Sequence, residues 1–168
     1  IWLVTLQKGR PFGFLDHNLR SGDTLLGIHR LDQLTKLAMH PKENDQLRFF
    51  GRSIEGAVAE ALELRKRLRL TPIRDIRDVE AMARLNEKAK AKLEPVELIA
   101  DAMVGEALQS EGKEKNLANA LDQLATKAGD ILDCEEDATD EVKLQALKSL
   151  SIDQLAGKSA RKPFHWAL

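Results

Sequence analysis

The chain has no tyrosine, one cysteine, and aromatic residues at only 4% of its 168 positions. Sheet-built cores draw heavily on aromatic and β-branched side chains, so this shortage argues against an all-β fold and for helices packed through Leu and Ala. The lone Cys134 excludes an internal disulfide and, without companions, a zinc site of the usual kind, which fits a reducing, cytoplasmic setting. No apolar run approaches the roughly 18 residues of a membrane span. A leader with a basic start, an apolar stretch and a cleavage site is missing too, so a soluble chain is expected. Net charge is also lacking: 26 Lys and Arg against 27 Asp and Glu leave −1, so attraction to nucleic acid or acidic lipid must be local.

What is present is a chain 43% hydrophobic and 32% charged, long enough for one domain with a real core. It begins at Ile1-Trp2-Leu3 rather than Met and stops at the apolar Phe164-His165-Trp166-Ala167-Leu168, which suggests a piece excised from a longer protein.

Gly9 to Gly13, with Pro11, reads as a turn, and Phe14 to Leu26, broken at Ser21-Gly22, as a short strand followed by a tight turn. From Asp32 the period changes to that of a helix, with a short one through Leu34, Leu37 and Ala38 ended by Pro41. Ser53 is the expected N-cap of a helix with Ile54, Ala57, Val58, Ala61, Leu62 and Leu68 on its apolar face. Thr71-Pro72 is expected to open the next helix, with Pro in the first turn where its missing N–H costs nothing. That helix meets Pro95, which should kink or restart it, and Gly112 should stop the segment that follows. Further helices are expected through Leu117 to Leu132 and Val142 to Leu150, then a last short one opened by Ser151 with Gln154 as a capping box. The fold class expected is therefore mainly α: an antiparallel, bundle-like set of helices over 32–156, a short strand-like amino-terminal arm over 1–31, and a return segment over 157–168.

Charge is unevenly placed. Arg65 to Lys92 holds ten Lys/Arg against four Asp/Glu, net +6, whereas Glu94 to Glu141 holds three against fourteen, net −11. The blocks could attract one another, form ordinary solvated helix faces, or present the basic one to DNA phosphates.

Most motifs of chemistry fail on spacing. Gly157-Lys158-Ser159 lacks the glycine a phosphate loop needs, since Ile152 stands there. Asp133, Glu135 and Asp137 mimic the start of a calcium loop, but Ala138 replaces its turn glycine and Leu144 its bidentate Glu. His17, His29, His40 and His165 show no metal-ligand spacing and read as surface or packing residues. Acidic neighbours of Cys134 disfavour a thiolate nucleophile. What remains is Gly22-Asp23, where the carboxylate either receives a ligand amine or hydroxyl at a strand's carboxyl end or caps its own turn.

Two stretches carry a resemblance. "RPFGFLDHNLRSGDTLLGI" at Arg10 to Ile28 resembles the "FLDH.LR.G.SL.G" segment of large bacterial adenine-specific DNA methyltransferases, many of them fused restriction-modification enzymes. "KPFHWAL" at Lys162 to Leu168 is similar to the same family's "FHW.LEFPEVF" segment, which precedes the catalytic Asn-Pro-Pro-aromatic motif. The ends match in order and together cover about 26 residues, while the middle matches loosely, chiefly through "LIADAMVGEAL" at Leu98 to Leu108.

The resemblance implies a helical insertion between two strands of a methyltransferase sheet, after the family's third conserved motif and before its catalytic one. Asp23 would accept a hydrogen bond from the adenine amino group of S-adenosylmethionine, and Gly22 would allow close backbone approach. Phe164, His165 and Trp166 would pack beneath the catalytic strand. The glycine-rich cofactor loop and the Asn-Pro-Pro-aromatic sequence are both missing, so this chain alone would not methylate an adenine flipped out of the duplex. Its own part would be to hold double-stranded DNA or scaffold the catalytic domain, with Arg65, Lys66, Arg67, Arg69, Arg74 and Arg77 as contacts to phosphate. The alternative is a non-enzymatic helical protein-interaction module, against which the scarcity of aromatic anchors argues.

Overall fold

The computed structural model describes residues 19–133, 136–150 and 161–168. The turn expected at Gly9 to Gly13, the beginning of the expected strand, Cys134, and the capping box of Ser151 with Gln154 lie outside them. Among the described residues the fold is mainly helical: α1 (Leu31–Thr35), α2 (Gly51–Leu70), α3 (Ile76–Gln109), α4 (Glu114–Leu132) and α5 (Glu136–Leu150). None is long and apolar enough to cross a membrane. No strand forms in the described part of the arm; a single parallel bridge joins Asp23 to Pro163 instead.

The short α1 is held at its start by the Gln33 side chain, whose Oε1 accepts the N–H groups of His29 and Arg30 at 3.0 Å each. Its end is not made by Pro41, as expected from sequence. Leu37 turns into the left-handed region (φ 49°), and the N–H groups of Leu37 and Ala38 reach back to the carbonyls of Leu34 and Gln33. These are the two bonds of a Schellman motif, normally built on glycine. Burial of the Leu37 side chain offsets the conformational cost of placing Leu there.

The start of α2 also departs from expectation. Phe50 occupies the N-cap and Ser53 lies inside the first turn. Tertiary contact overrides the better local cap: the Thr35 carbonyl accepts from Arg48 N–H at 3.0 Å, and a Cβ on Gly51 would stand 3.0 Å from that carbonyl.

Thr71 closes α2 rather than opening α3. Its hydroxyl donates to the Arg67 carbonyl at 2.9 Å, and its extended ψ of 115° suits the residue before Pro72. The N-cap of α3 is Asp75, whose Oδ1 accepts from Arg77 N–H at 2.7 Å and Asp78 N–H at 3.3 Å. Asp78 answers by accepting from Arg74 N–H at 2.8 Å and Asp75 N–H at 3.3 Å. Two carboxylates satisfying four N–H groups at a positive helix end outcompete a threonine followed by proline.

Once begun, α3 runs for 34 residues as one helix with Pro95 inside it, so the chain does not restart there. Pro95 has no N–H for the Ala91 carbonyl, but Ala91 is exposed, so water can take that acceptor. Beyond Pro95, Val96, Ile99, Ala100 and Met103 are fully buried, and this continuous core stripe offsets one lost bond. The helix ends where expected, with Glu111 and Gly112 both at positive φ.

The second half of α3 is the hub. Val96, Ile99, Met103 and Val104 join Ile28, Leu34, Phe50 and Ile54 on one side and Leu121, Leu124, Ala128, Ile131, Val142, Ala146 and Leu150 on the other in one apolar cluster. Leu147, one of the apolar residues in the expected helix Val142 to Leu150, is exposed. Along its first half α3 pairs with α2, which doubles back beside it: Val58 and Ala61 cluster with Ala89 and Leu93, and Lys92 Nζ meets Glu60 Oε2 at 2.8 Å. Gly105 lets α5 come close, since a Cβ there would lie 2.7 Å from Ser149 Cβ.

Candidate functional site

The described part of the first stretch that carries the family resemblance, 19–28, lies against the second, Lys162 to Leu168. Asp23 N–H donates to the Lys162 carbonyl at 2.7 Å and Phe164 N–H donates to the Asp23 carbonyl at 3.1 Å, the hydrogen-bond pattern of a parallel bridge. Further along, Ala167 N–H donates to the Ile28 carbonyl at 3.2 Å, and the Trp166 indole N–H donates to the Thr24 carbonyl at 3.2 Å. Two glycines make the approach possible. A Cβ on Gly27 would sit 2.0 Å from the Phe164 carbonyl oxygen, and one on Gly22 would sit 3.1 Å from Phe164 Cβ. The backbone that comes close to Gly22 is therefore that of the return segment.

His165 ties this pair of segments to the helices. Its side chain is 7% exposed. Nδ1 accepts from Ile28 N–H at 3.2 Å, which assigns the ring hydrogen to Nε2, and Nε2 then donates to Asp101 Oδ1 on α3 at 3.0 Å. One imidazole thus joins arm, return segment and hub helix. Sequence alone left it as a surface or packing histidine, and Asp101 gave no sign of being its partner.

Asp23 itself is exposed, and its Oδ1 accepts from Leu25 N–H at 3.0 Å. The carboxylate therefore caps its own turn, which is closed by Leu26 N–H on the Asp23 carbonyl at 3.2 Å. The exposed carboxylate can still accept further hydrogen bonds.

The basic block divides in two. Arg65 is half-buried, and its Nη1 donates to the Leu168 carbonyl at 2.7 Å. Burial first, then the nearby Arg20, pull its guanidinium below the ordinary value, Glu97 pushes the other way and Arg69 adds to the lowering. It stays a cation, as arginine does in proteins, but one engaged in holding the return segment. Lys66 and Arg67 are exposed and share Glu63, at 4.0 and 3.6 Å. Arg69, at the end of α2, and Arg74 and Arg77, at the start of α3, are exposed, and among the described residues none of the three makes an ion pair within 4.0 Å. Three exposed cations without an ion pair among the described residues therefore sit where α2 turns into α3.

The acidic block faces elsewhere. A groove of about 770 Å³ between α3 and α5 has Glu94, Glu97, Asp101 and Asp140 in its walls and Pro95 and Leu147 in its apolar lining. Among the described residues no three His, Cys, Asp or Glu side chains converge as metal ligands would. Comparison with family models, with curated proteins and with solved structures finds no match to this chain.

Proposed function

We propose that this chain is a bundle-like helical insertion, with a strand-like arm, from an adenine-specific DNA methyltransferase of restriction-modification type. The parent transfers a methyl group from S-adenosylmethionine to the adenine amino group in double-stranded DNA. This part is not itself catalytic; in a bacterial cytoplasm it supports DNA binding through contacts to phosphate or scaffolds the catalytic domain.

The observation that supports this reading best is the parallel bridge between Asp23 and Pro163. Antiparallel neighbours can be joined by a two-residue turn, but parallel neighbours need a long crossover, commonly helical. An insertion between two parallel strands of an α/β sheet must bring its two ends together side by side and in the same direction. The residues doing so, Asp23 and Pro163, belong to the two stretches, Arg10 to Ile28 and Lys162 to Leu168, that resemble the family. Asp23, the bridge residue from which the turn to Leu26 starts, would then stand at the carboxyl end of its strand, the edge where open α/β sheets receive ligands. S-adenosylmethionine would supply the methyl group; Asp23 would accept from its adenine amino group, and Gly22 and Gly27 would hold the two strands in register.

The test of the parent is the coding sequence that follows Leu168: an Asn-Pro-Pro-aromatic motif within about one strand and one loop is expected, and its absence overturns the reading. The DNA role is tested by titrating duplex DNA with the chain over a salt series. Affinity that falls steeply with salt is expected, and no binding at low salt overturns direct contact.

A further inference from the structure

We infer that the turn between α2 and α3 is an apolar wedge that enters a DNA base step while the arginines around it grip the flanking phosphates, an inference that rests on the DNA-contact reading of this same basic block. Leu70, the last residue of α2, is 82% exposed, and Ile76, the first of α3, is 63% exposed. Pro72 between them is exposed as well. Single exposed aliphatic residues are ordinary, but three in one tight connection are not, and this connection has a cationic rim. Arg67 and Arg69 precede it, and Arg74 and Arg77 sit within and after it. Its lone acid, Asp75, is already spent on the N–H groups of Arg77 and Asp78.

This combination matches one partner chemistry best. Proteins that kink duplex DNA insert Leu, Ile or Pro side chains between base pairs and hold the opened step with arginines on the neighbouring backbone. Guanidinium groups suit phosphate pairs through their planar fork, and all four rim cations are Arg rather than Lys. A membrane surface would ask for a longer apolar face: α2 buries Ile54, Val58, Ala61 and Leu68 inside the protein, and besides Leu70 the helix exposes only Leu62 among its large apolar side chains. The two helices also make a firm mount. Val58 and Ala61 pack on Ala89 and Leu93, and reciprocal capping fixes the first turn of α3. A rigid wedge of this kind lowers the cost of unstacking at the step where it enters, which is the step an enzyme acting on an extruded base requires.

The test uses the full chain with duplexes carrying 2-aminopurine at single positions and a fluorophore pair at the ends. Wild type should raise 2-aminopurine emission several-fold and shorten the end-to-end distance on binding. The exposed double substitution Leu70→Ser, Ile76→Ser should keep its circular dichroism and the salt slope of binding yet lose both signals. Arg74→Ala with Arg77→Ala should do the reverse, lowering the slope by about two. DNA binding without unstacking or bending overturns the wedge and leaves the DNA-contact reading standing, whereas no DNA binding at all overturns both. Capture by phosphatidylserine vesicles that the serine pair abolishes, with no unstacking of DNA, reassigns the tip to lipid and overturns the proposal.

Discussion

Gly27 and Phe164 meet so closely that a single methyl group on the glycine would stand 2.0 Å from the phenylalanine's carbonyl oxygen. The contact is between backbones, so no rotamer change can relieve it. Gly27→Ala must separate the arm from the return segment, and overpacking of this sort costs about 1–3 kcal/mol. Thermal unfolding followed by circular dichroism should show the midpoint falling clearly. Gly22→Ala, where the nearest atoms are 3.1 Å away, should cost less; equal midpoints for both variants would contradict this ranking.

His165 gives a prediction about a proton. Because Nδ1 receives the Ile28 N–H and Nε2 faces Asp101 Oδ1, the neutral ring should be the Nε2–H tautomer. Long-range nitrogen–proton correlation spectra read this directly, with the two ring nitrogens well separated in shift. Asp101→Asn retains an acceptor for Nε2–H and should be mild, while His165→Ala loses both bonds and its packing, about 1–3 kcal/mol. A ring found as the Nδ1–H tautomer would overturn the clasp.

The close crossing of α3 and α5 is tested by exchanging a methyl between them. Gly105→Ala places a Cβ 2.7 Å from Ser149 Cβ and should lower stability, even though alanine is the better helix former. Ser149→Gly removes the opposing carbon. Combining the two should recover most of the loss, and the interaction energy of the double-mutant cycle, about 0.5–3 kcal/mol, measures the crossing. Additive effects would mean that the helices do not meet at this point.

Within the basic block, stability and DNA affinity should separate residue by residue. Arg65→Ala removes the donor to the Leu168 carbonyl together with a half-buried stem and should lower the unfolding midpoint. Arg69→Ala, an exposed change, should leave stability within about 0.5 kcal/mol while reducing the salt slope of DNA binding by about one. Denaturant titrations alongside binding isotherms distinguish the two.

Periodicity alone was enough for α4, where Leu121, Leu124, Ala128 and Ile131 are buried, and for most of α5, where Val142 and Ala146 are buried but Leu147 is not. Gly112 likewise announces the end of α3, because its preference for positive φ is a property of the residue itself. Helix starts were less legible. Ser53 and Thr71 are good caps in isolation, but packing of Gly51 on Thr35 moves one start back, and the paired carboxylates of Asp75 and Asp78 move the other forward. Pro95 is a breaker by its own chemistry, yet the core stripe on either side of it holds one helix. In the site, composition exposed the basic block and the motif at Gly22-Asp23 as candidates. Only the tertiary structure decided that Arg65 holds the return segment, that Asp23 pairs beside Pro163, and that His165 reaches Asp101. Local preferences belong to a residue and its near neighbours, and so they are written in sequence. The partner of a buried polar atom is chosen by whichever distant segment the fold brings within about 3 Å, and no periodicity encodes that.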